Sequence, residues 1–461
     1  VTVLLSAPCL GQVAAAEEGV VAPPPEADAD FGTGIKRTMT LLATSTPEHR
    51  NTVRILFYGQ SITEQEWTKE VARWLREQYP HANLIIENRA IGGFAAQHLV
   101  KSAEQDLYPF YPDLLIFHVY GNHLNYEEII QRTRQRTTAE ILMQTDHVTT
   151  PEDMTEETDP AKLTPRTWSA WMNHAFLPSI ARKYGCELLD QRAQWKRYLT
   201  AKGLQPSDLL SDQVHLNERG CALMAELVKQ HLRYLPGHPD TTWRGLTQTF
   251  VLGEDVAWED AHLRLRFTGN RVGLIAGAGA RPTSPTRVLI DRRRPSEFPG
   301  AYAQTRATCY PGTPWPCAMR VSWQKPWVPE EWTARIRDGS DDLKSFRFEV
   351  IGSVTGPDGE GVCTERFVSN SGRVVIEPDD WSMARSREFT GTPMPEGFQV
   401  SWRILPMFVD DYLAPAIEDP AIETATTLVQ GIPNEAHTLE LIAGADGPPP
   451  IREVRVYRPP M

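Results

Sequence analysis

Through the first half of the chain, short apolar runs alternate with segments whose apolar residues recur every three or four positions. Val53, Ile55, Leu56, Phe57 and Tyr58 are interrupted only by Arg54, which predicts a buried strand over 53–58. Over 64–78, Trp67, Val71, Trp74 and Leu75 fall on one face, the period of an amphipathic helix. A short strand follows over 84–87. The run 114–119, bounded by Pro112 and Gly121, has the character of a central parallel strand, buried on both faces. Helices over 127–136, 166–183 and 217–232 then alternate with strands over 139–144 and 187–189. This alternation predicts a flavodoxin-like, three-layer α/β/α fold whose ligands bind at the C-terminal ends of the strands.

The texture changes after Pro236-Gly237-His238-Pro239. Residues 263–267, 287–290, 345–351, 373–376, 400–405, 438–442 and 454–457 are short β-like runs separated by Gly, Pro and Asp turns, which predicts a mostly-β, jelly-roll-like sandwich. The expected organisation is a processed or disordered segment over 1–16, a linker over 17–36, an α/β domain over 37–235 and a β-sandwich over 236–461. The Pro-, Glu-, Asp- and Thr-rich stretch 151–165 reads as a polar surface loop near the edge where ligands bind.

Composition narrows the function classes. A net charge of −12 argues against a nucleic-acid partner, because phosphate contacts need a basic face. The run Arg292-Arg293-Arg294 reads as a solvated turn between strands. Residues 1–16 resemble the tail of a signal peptide with small residues near Ala16, which predicts a secreted or periplasmic protein; a disordered arm is the alternative. Nothing further on is a continuous apolar stretch of membrane-spanning length. Of six cysteines, Cys9 lies in this first segment, and Cys309 and Cys317 flank a Pro/Gly/Trp loop that a disulfide could close. Cys186, Cys221 and Cys363 read as small buried hydrophobes. No Cys/His spacing suggests a metal site, and no cofactor is implied.

Candidate chemistry sits at the strand ends. Gly59-Gln60-Ser61-Ile62-Thr63 follows the first strand and puts Ser61 at a helix N-terminus, where free N–H groups stabilise developing negative charge; the plainer reading is a helix cap. Asp212-Gln213-Val214-His215 supplies a carboxylate and an imidazole three residues apart. Nucleophile, base and orienter together suggest a hydrolytic triad of Ser61, His215 and Asp212.

With these motifs the chain resembles the SGNH (GDSL-type) hydrolases over residues 50–235. Gly59-Gln60-Ser61 resembles that family's first block, and Asn88-Arg89-Ala90-Ile91-Gly92-Gly93 its second. Tyr120-Gly121-Asn122-His123 resembles the third, and Asp212 to Asn217 the last. The resemblance implies an oxyanion hole built from Gly93 N–H, with Gly92 the near alternative, and the Asn122 side chain. Two departures stand out: Gln60 replaces the usual Asp, and Tyr120 and His123 take the outer positions of the third block. Tyr120, His123, Asp146 and His147 are candidate substrate contacts, with local structural roles the alternative. Trp67 reads as core, and Trp315, Trp323, Trp327 and Trp332 as packing of the β-region rather than a sugar platform.

The expectation is a secreted serine esterase removing acetyl or other short acyl groups from a polysaccharide or oligosaccharide. The alternatives are a lipid or thioester esterase, a non-catalytic glycan-binding protein, and a glycosidase using carboxylates such as Asp212, Glu64 or Glu66.

Overall fold

The computed structural model describes residues 20, 22–23, 31–236, 245–309, 315–391 and 397–461. The expected signal segment, most of the linker, the junction over 237–244 and the centre of the loop between Cys309 and Cys317 lie outside the described residues.

The α/β elements run in the order α1 (Lys36–Ala43), β1 (Thr52–Gly59), α2 (Ser61–Glu64), α3 (Trp67–Gln78), β2 (Asn83–Asn88), α4 (Ala96–Asp106), β3 (Leu114–His118), α5 (His123–Arg136), β4 (Glu140–Gln144), α6 (Trp168–Trp171), α7 (Leu177–Tyr184), β5 (Glu187–Leu189), α8 (Gln191–Lys202) and α9 (Glu218–His231). The five strands are parallel and ordered β2-β1-β3-β4-β5. The chain leaves β1 toward one edge and returns through β3 toward the other. Doubly wound folds place their ligands in the crevice beyond the C-terminal strand ends at such a switch, here between β1 and β3.

Alternate residues of β1 enter opposite cores. Val53, Ile55 and Phe57 pack with Trp67, Leu223 and Met224 on one face. Leu56 and Tyr58 pack with Leu99, Phe117 and Ile129 on the other. Burial on both faces explains why the strand reads as a nearly continuous apolar run.

Several boundaries differ from the sequence reading. The helix expected over 64–78 is two helices, because Gln65 leaves helical geometry (φ −71°, ψ 168°) between α2 and α3. The helix expected over 166–183 contains a π-helical turn, Met172–Phe176, between α6 and α7. The end of the expected linker is folded: Ile35 is fully buried, and the Gly32 and Gly34 N–H groups donate to the Glu187 carboxylate at 2.7 and 2.8 Å. The Arg37 and Thr38 N–H groups donate to Glu140 in the same way, so two carboxylates at the N-terminal edge of the sheet hold the start of α1. The 151–165 loop is also fastened, since Asp153 and Glu156 both pair with Arg192 of α8.

The remaining described residues form antiparallel sheets. A seven-stranded sheet contains two long strands, His262–Ala276 and Ala425–Ile442, whose pairing shifts register between Gln430 and Glu435. Residues from both halves, such as Leu263 with Val272 and Leu439 with Leu428, enter one core, so the sheet folds over on itself as a sandwich. The chain between 302 and 406 is inserted into this sheet and builds a five-stranded sheet with its own core around Trp332, Phe348 and Trp402. Trp332 and Trp327 are buried there, and Trp323 packs on Trp327, as packing residues should. The run Arg292–Arg294 does lie at a turn, with Asp291 and Arg292 both at positive φ.

Cys309 and Cys317 form no disulfide in this structure, unlike the expectation; their sulfur atoms lie 4.0 and 3.7 Å from the Ser386 hydroxyl. The hydrogen bond to Cys309, followed by burial, pushes the Cys317 thiol well up from its ordinary value. Cys221 and Cys363 are buried and Cys186 partly so.

The antiparallel region packs against α4 of the α/β region. Arg306 pairs with Asp106 at 2.8 Å, Lys101 with Asp380 at 2.8 Å, and the Gln105 amide donates to Met319 O at 2.9 Å. Trp315 meets Phe94 edge to face, with ring centroids 4.8 Å apart. Among the described residues, no helix is long and apolar enough to cross a membrane.

Candidate active site

Ser61 owes its position to Gly59. A side chain at Gly59 would collide with Thr63 Oγ1 and His118 O, so only glycine lets β1 turn this tightly into α2. Gln60 remains extended, and its carbonyl accepts from Thr63 N (2.8 Å) and Glu64 N (3.2 Å), winding the first turn. Ser61 then occupies the first helical position, where its own N–H has no intrahelical acceptor. The Gln60 side chain is buried, and its amide nitrogen and oxygen find no hydrogen-bond partner among the described residues.

The opposing loop is closed on itself. Leu210 bridges Leu216, Ser211 N donates to His215 O at 2.8 Å, and Asn217 caps α9 through Gly220 N at 2.9 Å. Within it, Asp212 Oδ1 accepts from the backbone N–H groups of Val214 and His215, each at 2.7 Å. Its Oδ2 lies 2.7 Å from His215 Nδ1, and His215 Nε2 lies 2.8 Å from Ser61 Oγ. A proton on Nδ1 satisfies both ring contacts and leaves the Nε2 lone pair facing the serine hydroxyl. The His215 and Val214 N–H groups, then the His215 ring, hold the Asp212 carboxyl down at about 2. Asp212 is therefore a fixed negative charge beside the imidazole.

Two further contacts bracket this loop. The Gln65 amide donates to Leu216 O (2.9 Å) and accepts from Leu216 N (3.1 Å), joining the end of α2 to the residue after His215. His147 Nε2 lies 2.8 Å from Val214 O and, facing a carbonyl, must donate to it. Burial, followed by the nearby His118, lowers His147 to about 4, which keeps it neutral in this role. His147 is thus buried beneath the loop, which corrects its reading as a substrate contact. Asp146 stands partly exposed, 3.4 Å from His118 Nε2, and its N–H donates to Asn173 Oδ1 in the π-helical turn. These supports escape sequence reasoning because each joins residues far apart in the chain.

The two neighbouring glycines Gly92 and Gly93 differ in how their N–H groups are used. Gly92 N donates to Glu64 Oε1 at 2.8 Å and is therefore occupied. Gly93 adopts φ 71°, and among the described residues its N–H meets no acceptor. Asn122 is exposed; its Oδ1 caps α5 by accepting from Leu124 N and Asn125 N, which leaves Nδ2 as the donor end of the side chain. Its backbone N–H donates to Gln97 Oε1 at 3.2 Å. Trp67 is fully buried and donates to Ile62 O at 2.6 Å, a structural role.

Exposed apolar side chains adjoin the site residues along the chain, Tyr120 and Leu124 on either side of Asn122 and Val214 before His215. Tyr120, Leu124, Trp168 and Val214 are four of the five large apolar side chains exposed among the described residues of the α/β region, with Tyr234 the fifth. The His123 ring is wedged between Trp168, Trp171 and Phe176, with centroids 5.2 to 5.4 Å away. His123 therefore packs within an aromatic cluster that includes the exposed Trp168. Among the described residues, no group of three or more His, Cys, Asp or Glu side chains forms a metal site.

The chain matches no protein-family model and no curated protein. Among solved structures it is similar to an acetylxylan esterase from Geobacillus stearothermophilus, with 18% identity, 42% of this chain and 100% of that chain covered, and a TM-score of 0.34. It is also similar to an alpha/beta hydrolase enzyme from the metagenome of Lake Arreo, Spain, with 15% identity, 41% and 98% of the two chains covered, and a TM-score of 0.33. A two-domain esterase active on acetylated mannans, co-crystallised with mannopentaose, is similar over 92% of this chain and 95% of its own, with 12% identity and a TM-score of 0.34.

Proposed function

We propose that the protein is an SGNH-type serine esterase, exported from the cell, that removes acetyl or other short acyl groups from a polysaccharide or oligosaccharide. The observation that carries this reading is the continuous line from Ser61 Oγ through the His215 ring to Asp212, at 2.8 and 2.7 Å. His215 Nε2 takes the proton of Ser61 as its oxygen attacks the ester carbonyl. Ser61 N–H, Gly93 N–H and Asn122 Nδ2 are the donors for the resulting oxyanion. His215 then gives its proton to the departing sugar oxygen. Water, activated by the same imidazole, attacks the acyl-serine and releases the acid.

The carboxylates considered for glycoside cleavage are committed elsewhere. Glu64 accepts from Gly92 N, Glu66 pairs with Lys69, and Asp212 is held by its own loop. The exposed side chains of Trp168 and Tyr120 support a sugar-bearing substrate, since flat aromatic faces pack on the apolar faces of sugar rings.

The test is acetate release from acetylated xylan and mannan oligosaccharides and from aryl esters of increasing chain length, by the parent and Ser61→Ala. The expected result is efficient release from acetylated glycans and short aryl esters, abolished in the variant. Equal rates for parent and Ser61→Ala would overturn the serine mechanism.

A further inference from the structure

Beside the oxyanion donors, a crevice of about 530 Å³ opens between the start of α4 and the helix Met383–Thr390 of the inserted chain. Its polar and aromatic walls include His98, Lys101, Lys344, Asp379, Trp381 and Arg385, three basic groups against one exposed carboxylate, and Gln97 stands at its edge. It joins the proposed active site through two contacts. Gln97 Oε1 accepts the Asn122 N–H at 3.2 Å, and Phe94, which follows Gly93, packs against His98 with ring centroids 5.4 Å apart.

The cations of this crevice differ in how they are occupied. Lys101 pairs with Asp380 at 2.8 Å and donates to Asp379 O at 2.6 Å. Lys344 pairs with Asp342 at 3.2 Å. Arg385 pairs with no carboxylate among the described residues. Its Nη1 lies 3.1 and 3.0 Å from the two ring nitrogens of His98, and its guanidinium carbon lies 5.9 Å from the centre of the Phe94 ring. Burial, then Arg385 and Lys101, lowers His98 to about 4, so His98 is a neutral acceptor and brings no counter-charge into contact with the guanidinium. A guanidinium fork with no acid partner, braced by an aromatic ring at the mouth of a ligand-sized crevice, is suited to a planar or tetrahedral oxyanion.

We propose that this crevice is an anion subsite in which Arg385 binds a carboxylate or sulfate carried by the acylated glycan, so that the enzyme selects acidic rather than neutral acylated sugars. This rests on the esterase reading above. With a net charge of −12, the molecule as a whole repels a polyanion, so any such preference has to arise from a local group.

The experiment compares kcat/KM for three acetylated oligosaccharides of equal length: one neutral, one bearing a uronate and one bearing a sulfate. The enzymes are the parent, Arg385→Gln and Arg385→Lys, each checked for native thermal unfolding. The parent is expected to favour an anionic substrate over the neutral one by about tenfold, through KM. Arg385→Gln should abolish that preference and Arg385→Lys should keep part of it, because a point charge replaces the fork. The uronate and sulfate arms tell which anion is taken. A parent without anionic preference, or a preference that survives in Arg385→Gln, would overturn the subsite. Failure of the underlying esterase reading looks different: Ser61→Ala would then hydrolyse aryl acetate as fast as the parent.

Discussion

Gln65 offers a direct way to perturb the site without touching a reacting atom. Its amide makes two hydrogen bonds to the Leu216 backbone, at 2.9 and 3.1 Å, between groups separated by 151 residues of chain. One end is fixed four residues beyond Ser61, and the other adjoins His215. Gln65→Met keeps the length of the side chain and removes both bonds. At about 1 kcal/mol net for each bond, the loop loses about 2 kcal/mol of its preference for the observed position. If all of that loss falls on the placement of His215, kcat drops by up to about 30-fold. KM should change less, because the clamp holds the loop that carries the base, whereas the proposed donors Gly93 and Asn122 lie on other segments. Gln65→Glu retains an acceptor for Leu216 N but sets a carboxylate against Leu216 O, so it should also be slow. Steady-state kinetics on an aryl acetate, with thermal unfolding as the control for folding, provide the assay. If folded Gln65→Met retains kcat within about twofold of the parent, the clamp does not position the base and the reasoning fails.

Asp212→Asn should lower kcat by about 10³–10⁴-fold, because an amide can hold the wrong imidazole tautomer as well as the right one; a loss below tenfold would contradict the assigned tautomer. The parent carboxylate should stay ionised down to about pH 2, with its contribution to stability present above its ordinary value of 3.8 and lost only as pH falls toward 2. His147 has the opposite charge type: its value falls from 6.5 to about 4 on folding, so the unfolded chain binds the extra proton between those limits. Stability should therefore decline as pH falls from 6.5 to 4, and His147→Gln, whose amide can still donate to Val214 O, should flatten that decline in thermal midpoints. Identical slopes for parent and variant would rule this out. Trp168→Ala should raise KM for acetylated oligosaccharides several-fold more than for aryl acetate, in line with about 1 kcal/mol of ring packing; equal changes for both substrates would argue against a sugar platform.

Much of the fold and the centre of the site are legible in the sequence because they rest on local chemistry. A strand buried on both faces must be apolar throughout, so β1 and β3 announce themselves. Ser61, Asp212 and His215 stand at turns whose residues are chosen for backbone geometry, and the structure brings all three together. What stays hidden depends on distant partners. Glu64, Gln65 and Glu66 are all good helix formers, so nothing nearby signals that Gln65 breaks the helix to reach Leu216. The buried side of α8 carries Gln191, Arg192 and Gln194 beside Trp195 and Leu199, which blurs its apolar period. In α4 the apolar spacing of Leu99, Val100 and Ala103 is present but carried partly by small residues, and the sequence reading passes over it. His147 shows the same limit within the site: a polar residue at the end of a strand can face the ligand or support the loop from below, and only its contact with Val214 O distinguishes the two.

The most direct test of the central claim is to trap the acyl-enzyme. Rapid mixing with an excess of aryl acetate, acid quenching and peptide mass spectrometry should find one acetyl group on the peptide containing Ser61. It should appear together with a burst of one equivalent of aryl alcohol where deacylation is the slower step, and should be absent from Ser61→Ala. Hydrolysis of aryl acetate by Ser61→Ala at the parent rate, or an acetyl group found consistently on another residue, would contradict the account.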